Sequence, residues 1–312
     1  MLFNFDRFPG LTAEDFDAFA ERKWSSNRFN LERMKTRARL EAFGRDLVGT
    51  LGAELDGLTF KTTLDHPHIF NLNQVREMWG YFDRLEEERA ELSRVVDRDL
   101  SLKDKVEDPV PQHQAMLAGL CVDQEGACLF LRLHANALLD RRNLAARLAD
   151  PMEEGSWSAL AGRLPTAYSF ELNGTRVKPE EAARRASELR SGLDALAGWF
   201  RVERRLTPEE AGDGSRLLAV AREELPALLG LWRFAAWSRS NDRLKLARSL
   251  KEERKQKARK LSGFEAGDTV TVTGGLLSGK TGTVVDVDLK GRVRVQLGRV
   301  NIEMDPKLLK KG

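Results

Sequence analysis

The chain of 312 residues has few of the side chains that carry redox or metal chemistry, with two cysteines and four histidines. These residues show no spacing that recurs in zinc sites, so we expect no metal and no other cofactor. No apolar run approaches the roughly 18 residues that a membrane helix requires. The first ten residues, MLFNFDRFPG, lack the basic and apolar regions of a signal peptide. These absences predict a cytoplasmic protein without a membrane partner.

The two cysteines, Cys121 and Cys128, flank the segment VDQEGA, which is typical of a hairpin turn over residues 123–126. We therefore expect the two thiols to face each other across neighbouring strands. A cross-strand disulfide and a pair of small hydrophobic side chains both fit this placement. A reducing cytosol favours the free thiols.

Charge is distributed unevenly, although the formal net charge of the whole chain is only +3. Residues 243–260 hold nine Lys or Arg against two Glu, and residues 264–312 hold eight against six. The preceding 242 residues are acidic, with 34 basic and 40 acidic side chains. A basic tail on an acidic body indicates a polyanionic partner for the tail. A solvated helix that links two domains is the alternative interpretation of residues 243–260.

Residues 1–242 show several helical patterns interrupted by hairpins, so the sequence predicts an α+β body. Predicted helices cover about 12–20, 27–55, 179–200 and 207–212, and another begins at 73 with Val75, Trp79 and Phe82 on one stripe. A further helix is predicted over 217–260, with Pro226 as a break. Strands are predicted around Gly126, where Leu129, Leu131 and Leu133 alternate, and around Asn173–Gly174, the favoured pair for a type I′ turn.

Residues 264–312 alternate as short strands do. Val270 and Val272 share one face, and Thr283, Val285 and Val287 are predicted to share another. Val293, Val295 and Leu297 are predicted to face a core while Arg292, Arg294 and Gln296 face solvent. Four or five strands in so short a segment predict a small closed barrel, because closure removes exposed sheet edges. The predicted organisation is thus a body over 1–242, a basic helical linker over 243–263 and a barrel over 264–312.

The barrel segment resembles the KOW motif, which occurs in the transcription elongation factor NusG and in ribosomal proteins. The resemblance rests on Gly267–Asp268, the two valines of the first strand, the loop GGLLSGKTG with Gly279 and Gly282, and the turn DLKGRVRV. It implies an SH3-like barrel that binds RNA, the ribosome or the transcription machinery. Gly282 suits a position where a Cβ atom would obstruct either the backbone conformation or a close contact.

The predicted nucleic-acid contacts combine a glycine-rich loop with nearby cations. A loop with little side chain admits a phosphate backbone, and its amides and cations can contact phosphate oxygens. The predicted residues are Gly275, Ser278, Gly279, Lys280, Lys290, Arg292, Arg294 and Arg299, joined by Lys255, Lys257, Arg259 and Lys260 of the basic segment. Because the barrel lacks exposed aromatic residues for base stacking, we expect contact with the backbone of RNA or with protein. The alternative is that these cations only keep a small barrel in solution.

One cluster in the body is a weak candidate for chemistry. Asp65, His66, His68 and Arg76 lie within a short segment, and two histidines beside a carboxylate can act as acid and base. The alternative is a turn in which these side chains satisfy local backbone groups. No nucleotide-binding loop, hydrolase elbow or zinc-protease motif is present in the sequence.

The sequence therefore predicts a non-enzymatic protein that uses its C-terminal barrel to dock on RNA, on a ribonucleoprotein such as the ribosome, or on RNA polymerase. Two hypotheses remain beside it. The first is a nucleic-acid-processing enzyme with an active site near the Asp65 cluster. The second is an adaptor whose barrel binds protein.

Overall fold

The computed structural model describes residues 3–99, 108–245, 262–288, 291–298 and 300–312. The chain divides into two compact units, Met1–Leu244 and Lys245–Gly312. The described residues contain nine α-helices and two antiparallel sheets, which confirms the predicted α+β class. Residues 246–261 lie outside the described residues and include most of the predicted basic helix, so the predicted limits of the linker stay predictions.

The N-terminal unit is built on a seven-stranded antiparallel sheet with the strand order β1-β2-β3-β4-β7-β5-β6. The strands are β1 (Leu58–Thr62), β2 (Glu77–Arg84), β3 (Leu117–Asp123), β4 (Gly126–His134), β5 (Ser169–Leu172), β6 (Thr175–Val177) and β7 (Trp199–Leu206). Most neighbours in the sheet are also neighbours in sequence, and short turns join β3 to β4 and β5 to β6 as antiparallel pairing allows.

The described part of the N-terminal unit also contains nine helices. They are α1 (Ala13–Asp17), α2 (Asn30–Leu51), α3 (Glu86–Asp99), α4 (Leu138–Leu148), α5 (Glu154–Gly162), α6 (Pro179–Ala182), α7 (Ala186–Asp194), α8 (Pro208–Gly212) and α9 (Gly214–Ala235). None of the helices described is long and apolar enough to cross a membrane. The start of α8 is fixed by a capping box, in which the N–H of Thr207 donates to the Glu210 carboxylate at 3.0 Å and the N–H of Glu210 donates to the Thr207 hydroxyl at 3.2 Å.

Both predicted hairpins are present. Cys121 lies opposite Cys128 where β3 pairs with β4, and both thiols are free and fully buried. In the second hairpin, Asn173 and Gly174 connect β5 to β6 with φ angles of +48° and +82°. Two successive positive φ angles are what a type I′ turn requires, so this local signal was sufficient to place the hairpin.

One face of the sheet packs against α2 and α9 and forms the main core. Leu129, Leu131 and Leu133 alternate along β4 as predicted, and they share a buried cluster with Phe43 of α2 and Leu228 of α9. Burial of each such side chain stabilises the fold by about 1.5–3 kcal/mol. The intervening residues of β4 point to the opposite face of the sheet, which we call the open face.

The predicted helix from residue 73 is wrong, because residues 77–84 form β2 in the interior of the sheet. Met78 and Phe82 join the core, whereas Trp79 and Tyr81 lie on the open face. All four side chains are buried. A strand buried on both faces shows no clear alternation of apolar and polar residues, so its apolar positions also fit a helical stripe.

The predicted helix over 179–200 is also wrong, since this segment forms α6, α7 and the start of β7. Phe200 lies in β7 opposite Leu133, yet it packs in the same core as Leu189 and Leu193 of α7. The apolar spacing of α7 therefore continues into β7, although the helix ends between them. The helix predicted to reach residue 260 ends at Ala235, and Pro226 lies inside it without ending it.

The C-terminal unit contains one five-stranded antiparallel sheet with the order β11-β10-β9-β8-β12. Its strands are β8 (Thr269–Val272), β9 (Thr281–Val287), β10 (Val293–Leu297), β11 (Val300–Met304) and β12 (Leu309–Lys311). The first strand pairs with the last, as in a small barrel-like domain. Its core consists of Phe264, Val270, Val272, Val284, Val287, Val293, Val295 and Leu309.

A β-bulge corrects one part of the predicted strand pattern. Val293 pairs with Val287 but Val295 pairs with Val284, so β9 contains one extra residue against β10. As a result Val284 and Val287 face the core, and Val285, predicted to share a face with Val287, is exposed. A bulge adds a residue to one strand and so interrupts strict alternation.

A buried ion pair joins the elements of the N-terminal unit. Arg84 of β2 and Asp140 of α4, each 1% exposed, form a salt bridge. Arg84 also donates to the carbonyl oxygen of Trp237 through Nε at 3.2 Å and Nη2 at 3.0 Å. The carboxylate of Asp140 accepts hydrogen bonds from the backbone N–H groups of Met116 at 2.7 Å and Trp237 at 2.8 Å. One pair thus ties β2, α4, the start of β3 and the segment after α9.

We predict that Asp140→Ala lowers the free energy of unfolding by about 3–5 kcal/mol, because it leaves the Arg84 guanidinium buried without a counter-charge. Urea denaturation followed by circular dichroism measures the change. The control is Glu14→Ala, which breaks the exposed pair with Lys35 (2.7 Å) and should leave the free energy of unfolding almost unchanged, because solvent screens this pair. Equal losses for the two variants would contradict the role of the buried pair.

Candidate nucleic-acid interface

The glycine-rich loop between β8 and β9 forms a compact turn. A 3₁₀ turn covers Gly275–Leu277, and Gly275 and Gly279 have φ angles of +75° and +80° that other residues rarely adopt. The N–H of Ser278 donates to Gly275 O at 3.2 Å, and the N–H of Gly279 donates to Val272 O at 2.8 Å. These two amides are therefore already satisfied by the protein and are not available to a phosphate.

The exposed side chains at the predicted contact positions are cationic, and the loop tip is apolar. Lys280 at the end of the loop is exposed, and so is Arg292, which lies in the turn at the far end of β9. Arg294 is also exposed, but its Nη2 donates to Glu303 Oε1 at 3.0 Å, which offsets part of its charge. Leu276 at the loop tip is fully exposed, at 106% of its reference area. The other predicted cations, Lys290, Arg299, Lys255, Lys257, Arg259 and Lys260, lie outside the described residues.

Gly282 has the steric role that its place after the loop predicted. A Cβ atom at this position would lie 2.5 Å from the carbonyl oxygen of Gln296 and 2.8 Å from a methyl group of Val295. Real Cβ contacts are not this short, so β9 and β10 approach closely only because residue 282 is glycine.

The predicted acid–base cluster of the body is engaged in local contacts. Asp65 binds the Nδ1 of His66 at 2.8 Å and lies 3.5 Å from Arg37. The Nδ1 of His68 accepts from the backbone N–H of Phe70 at 3.2 Å, which caps a short 3₁₀ turn. Arg76 stands apart from these three, with its guanidinium 4.8 Å from the ring of Trp24. Of the four residues, Arg76 lines the cleft described next.

A cleft of about 510 Å³ lies on the open face of the N-terminal unit, and we call it the aromatic cleft. Its floor and walls include Trp79, Tyr81, Trp199 and His113. The sequence did not indicate this site, because Trp199 falls within a predicted helix and no element is predicted for the segment that contains His113. The strict leucine alternation of β4 was the available signal, since it implies that Phe130, Arg132 and His134 share the other face.

Two histidines and a carboxylate meet at one end of this cleft. The Nδ1 of His113 lies 2.9 Å from both carboxylate oxygens of Asp108, and its ring stacks on that of His134 with centroids 3.9 Å apart and planes 20° apart. Both rings contact Trp199. Asp108, His113 and His134 could together ligate a metal ion. However, ring nitrogens bind metals in the ring plane, and two nearly parallel rings do not direct their lone pairs at one point.

The electrostatics of this cluster keep one histidine neutral. Burial, reinforced by the neighbouring His113, lowers the pKa of His134 to about 4, and Asp108 opposes the shift only weakly. Burial acts to raise the pKa of Asp108, but hydrogen bonds from Asn136 and His113 outweigh it and hold this pKa below its ordinary value. At neutral pH, Asp108 is therefore a carboxylate and His134 an uncharged ring.

Comparison with protein families places the recognisable part of the chain in the C-terminal unit. The KOW motif matches residues 266–297, which span β8, the glycine-rich loop, β9 and β10. This confirms the resemblance that the loop and the two glycines carry. A search among curated proteins found no match.

We predict that Gly282→Ala destabilises the C-terminal unit by about 1–3 kcal/mol, because the new methyl group must push β9 away from β10. Hydrogen exchange of the β9 and β10 amides in the full-length chain measures the loss. Gly274→Ala is the control, since its Cβ would meet only the side chain of Leu308, at 3.1 Å. The interpretation fails if both variants leave the exchange rates of the strand amides unchanged.

We predict that stability falls as the pH decreases from about 6.5 to about 4, in part because of His134. Its pKa is about 4 in the folded protein and about 6.5 in the unfolded chain, so the unfolded chain binds the proton first. Urea denaturation across this pH range should show a smaller loss for His134→Gln than for the wild type. Titration of the His134 ring near pH 6.5, measured by NMR, would contradict the assignment.

Proposed function

We propose that this protein binds RNA through its C-terminal unit and docks in this way on RNA, on the ribosome or another ribonucleoprotein, or on RNA polymerase. The main observation in support of this proposal is the KOW motif at residues 266–297, because proteins with this motif are generally associated with RNA or ribosomes. In this proposal residues 1–242 are a separate body, 243–263 a basic linker and 264–312 the binding module.

The contacts would be made to the phosphate backbone. Lys280 and Arg292 are exposed cations on the described surface, and the linker sequence adds nine basic residues against two acidic ones over 243–260. Cations that neutralise phosphates release condensed counterions, which makes binding depend steeply on salt. Gly275 and Gly279 carry no side chain and so leave space for an approaching backbone on either side of the exposed Leu276. The residues proposed for contact are those predicted from the sequence. Among them, the small residues Gly275, Ser278 and Gly279 leave room for the phosphate backbone.

A protein partner for the same unit is the second candidate function. Leu276 projects fully exposed from the loop tip, and Val300 and Leu308 of the same unit are 57% and 40% exposed. Exposed apolar side chains at a loop tip suit a protein surface better than phosphates. Capture of one protein that survives nuclease treatment and is lost on Leu276→Asp would favour this function over RNA binding.

We predict that the full-length chain binds single-stranded RNA with an affinity that falls steeply between about 50 and 300 mM salt. Lys280→Ala and Arg292→Ala should each weaken binding similarly for all sequences and reduce the slope of log affinity against log salt by about 0.7–1. Fluorescence anisotropy with labelled RNA of several sequences measures both effects.

The matched control is Lys307→Ala, which removes an exposed lysine of the same unit outside the proposed contacts. This variant should keep the wild-type slope. An affinity that does not change with salt, or an equal effect of all three substitutions, would contradict backbone binding at the named residues.

A further inference from the structure

The aromatic cleft has the composition of a ring-binding site. Trp79 and Tyr81 form buried walls, 5% and 6% exposed, and their rings are 6.5 Å apart at 88°. Trp199 lies 5.6 Å from Trp79 and is only partly buried. The guanidinium of Arg132 packs 4.8 Å from the ring of Trp79, which holds this wall in place. A flat ligand entering the cleft would therefore meet preformed aromatic surfaces.

Hydrogen-bonding side chains lie along the edge of the same cleft. Gln112 donates to the hydroxyl of Tyr81 at 3.4 Å, and Gln74 accepts from Nε of Arg76 at 2.7 Å. Asp108 engages the Nδ1 of His113, so Nε2 is the nitrogen left for a ligand. Amide and imidazole groups both donate and accept hydrogen bonds, as the edges of a nucleobase do.

The mouth of the cleft is formed by a loop with an unusual conformation. Phe70 and Leu72, both cleft-lining, are 45% and 60% exposed. Leu72 and Asn73 have φ angles of +55° and +57°, a region that bulky residues rarely occupy. Such strain persists only where other contacts impose it, and here Asn71 fixes the loop by hydrogen bonds to His66 O and His68 N, both at 2.8 Å. The loop therefore presents apolar side chains to a ligand in a fixed geometry.

A second, charged cavity of about 760 Å³ adjoins the aromatic cleft, and Trp199 and Glu77 line both. The charged cavity contains Arg132, Arg176, Lys178, Arg201 and Arg205, but also Glu77, Glu125, Glu181 and Glu203. Arg205 is paired with Asp123 at 2.7 Å, and Arg201 with Glu171 at 3.3 Å. Cations that already have carboxylate partners add little to the binding of phosphates.

We propose that the aromatic cleft binds an unpaired base of single-stranded RNA, stacked on Trp199 and contacted along its edge by Gln112 and His113. This inference rests on the proposed function, since it takes RNA as the polymer that the chain binds. Aromatic side chains bind bases through the π-face, and the C-terminal unit has no exposed aromatic ring among its described residues. The N-terminal unit thus supplies the stacking contact, and a duplex, whose bases are already stacked, is excluded.

The test uses the full-length chain and a single-stranded RNA hexanucleotide that carries one 4-thiouridine. After photocrosslinking, the modified peptides are identified by mass spectrometry. We expect crosslinks in the segments that line the cleft, residues 108–116 and 196–203, and we expect the duplex form of the same RNA to give none there.

Substitutions measure the stacking contribution in the same full-length chain. Trp199→Ala should weaken hexanucleotide binding about tenfold or more, whereas Trp199→Phe, which keeps an aromatic face, should retain most of the affinity. Ile69→Ala is the control, because Ile69 is 57% exposed beside the cleft but does not line it. Circular dichroism and thermal unfolding establish that each variant is folded, and the crosslinking result does not depend on any variant.

The outcomes distinguish a failure of base binding in the cleft from a failure of RNA binding by the C-terminal unit. Crosslinks confined to residues 262–312, with no effect of Trp199→Ala, would overturn the cleft as a base site and leave RNA binding by the C-terminal unit intact. Crosslinks in the cleft that persist in Lys280→Ala at high salt would support it, because stacking does not release counterions. If the chain binds no RNA at any salt concentration, both proposals are wrong.

Discussion

The N-terminal unit depends on the buried ion pair between Arg84 and Asp140. Each partner alone would be a charge in an apolar interior, and together they also satisfy backbone groups of Met116 and Trp237. These contacts fix where β2 and β3 lie relative to α4 and to the end of α9. The position of β2 in turn places Trp79 and Tyr81 on the open face. The aromatic cleft is therefore a consequence of a contact on the other side of the sheet.

The two units offer a ligand different chemistry. The C-terminal unit presents exposed cations at both ends of β9, whereas the open face of the N-terminal unit presents aromatic rings and arginines that are already paired with carboxylates. Phosphate contacts give affinity that is sensitive to salt, and ring stacking gives affinity that is not. A chain with both kinds of surface can hold a polymer by its backbone at one place and by a base at another, which is the arrangement that we propose.

The parts of the fold that could be predicted are those decided by neighbouring residues. The pair Asn173–Gly174 specifies its turn, Thr207 and Glu210 specify a helix start, and the valines of β10 alternate because one side of that strand is buried. The prediction was wrong for β2, because both faces of that strand are buried. The start of β7 was predicted as helix, because the apolar spacing of α7 continues into that strand. The predicted orientation of Val285 was also wrong, because a bulge depends on how two strands pair and cannot be recognised from the sequence of either strand alone.

The candidate sites also differ in whether short segments of sequence are enough to predict them. Residue spacing within short segments was enough to predict the α+β class, the KOW-like strand and loop pattern and the suitability of glycine at position 282. His113, His134 and Trp199, separated by up to 86 positions, meet on one face of a sheet through contacts that no short segment specifies. Strand order and register bring such residues together, and both depend on which surfaces bury one another rather than on any local pattern.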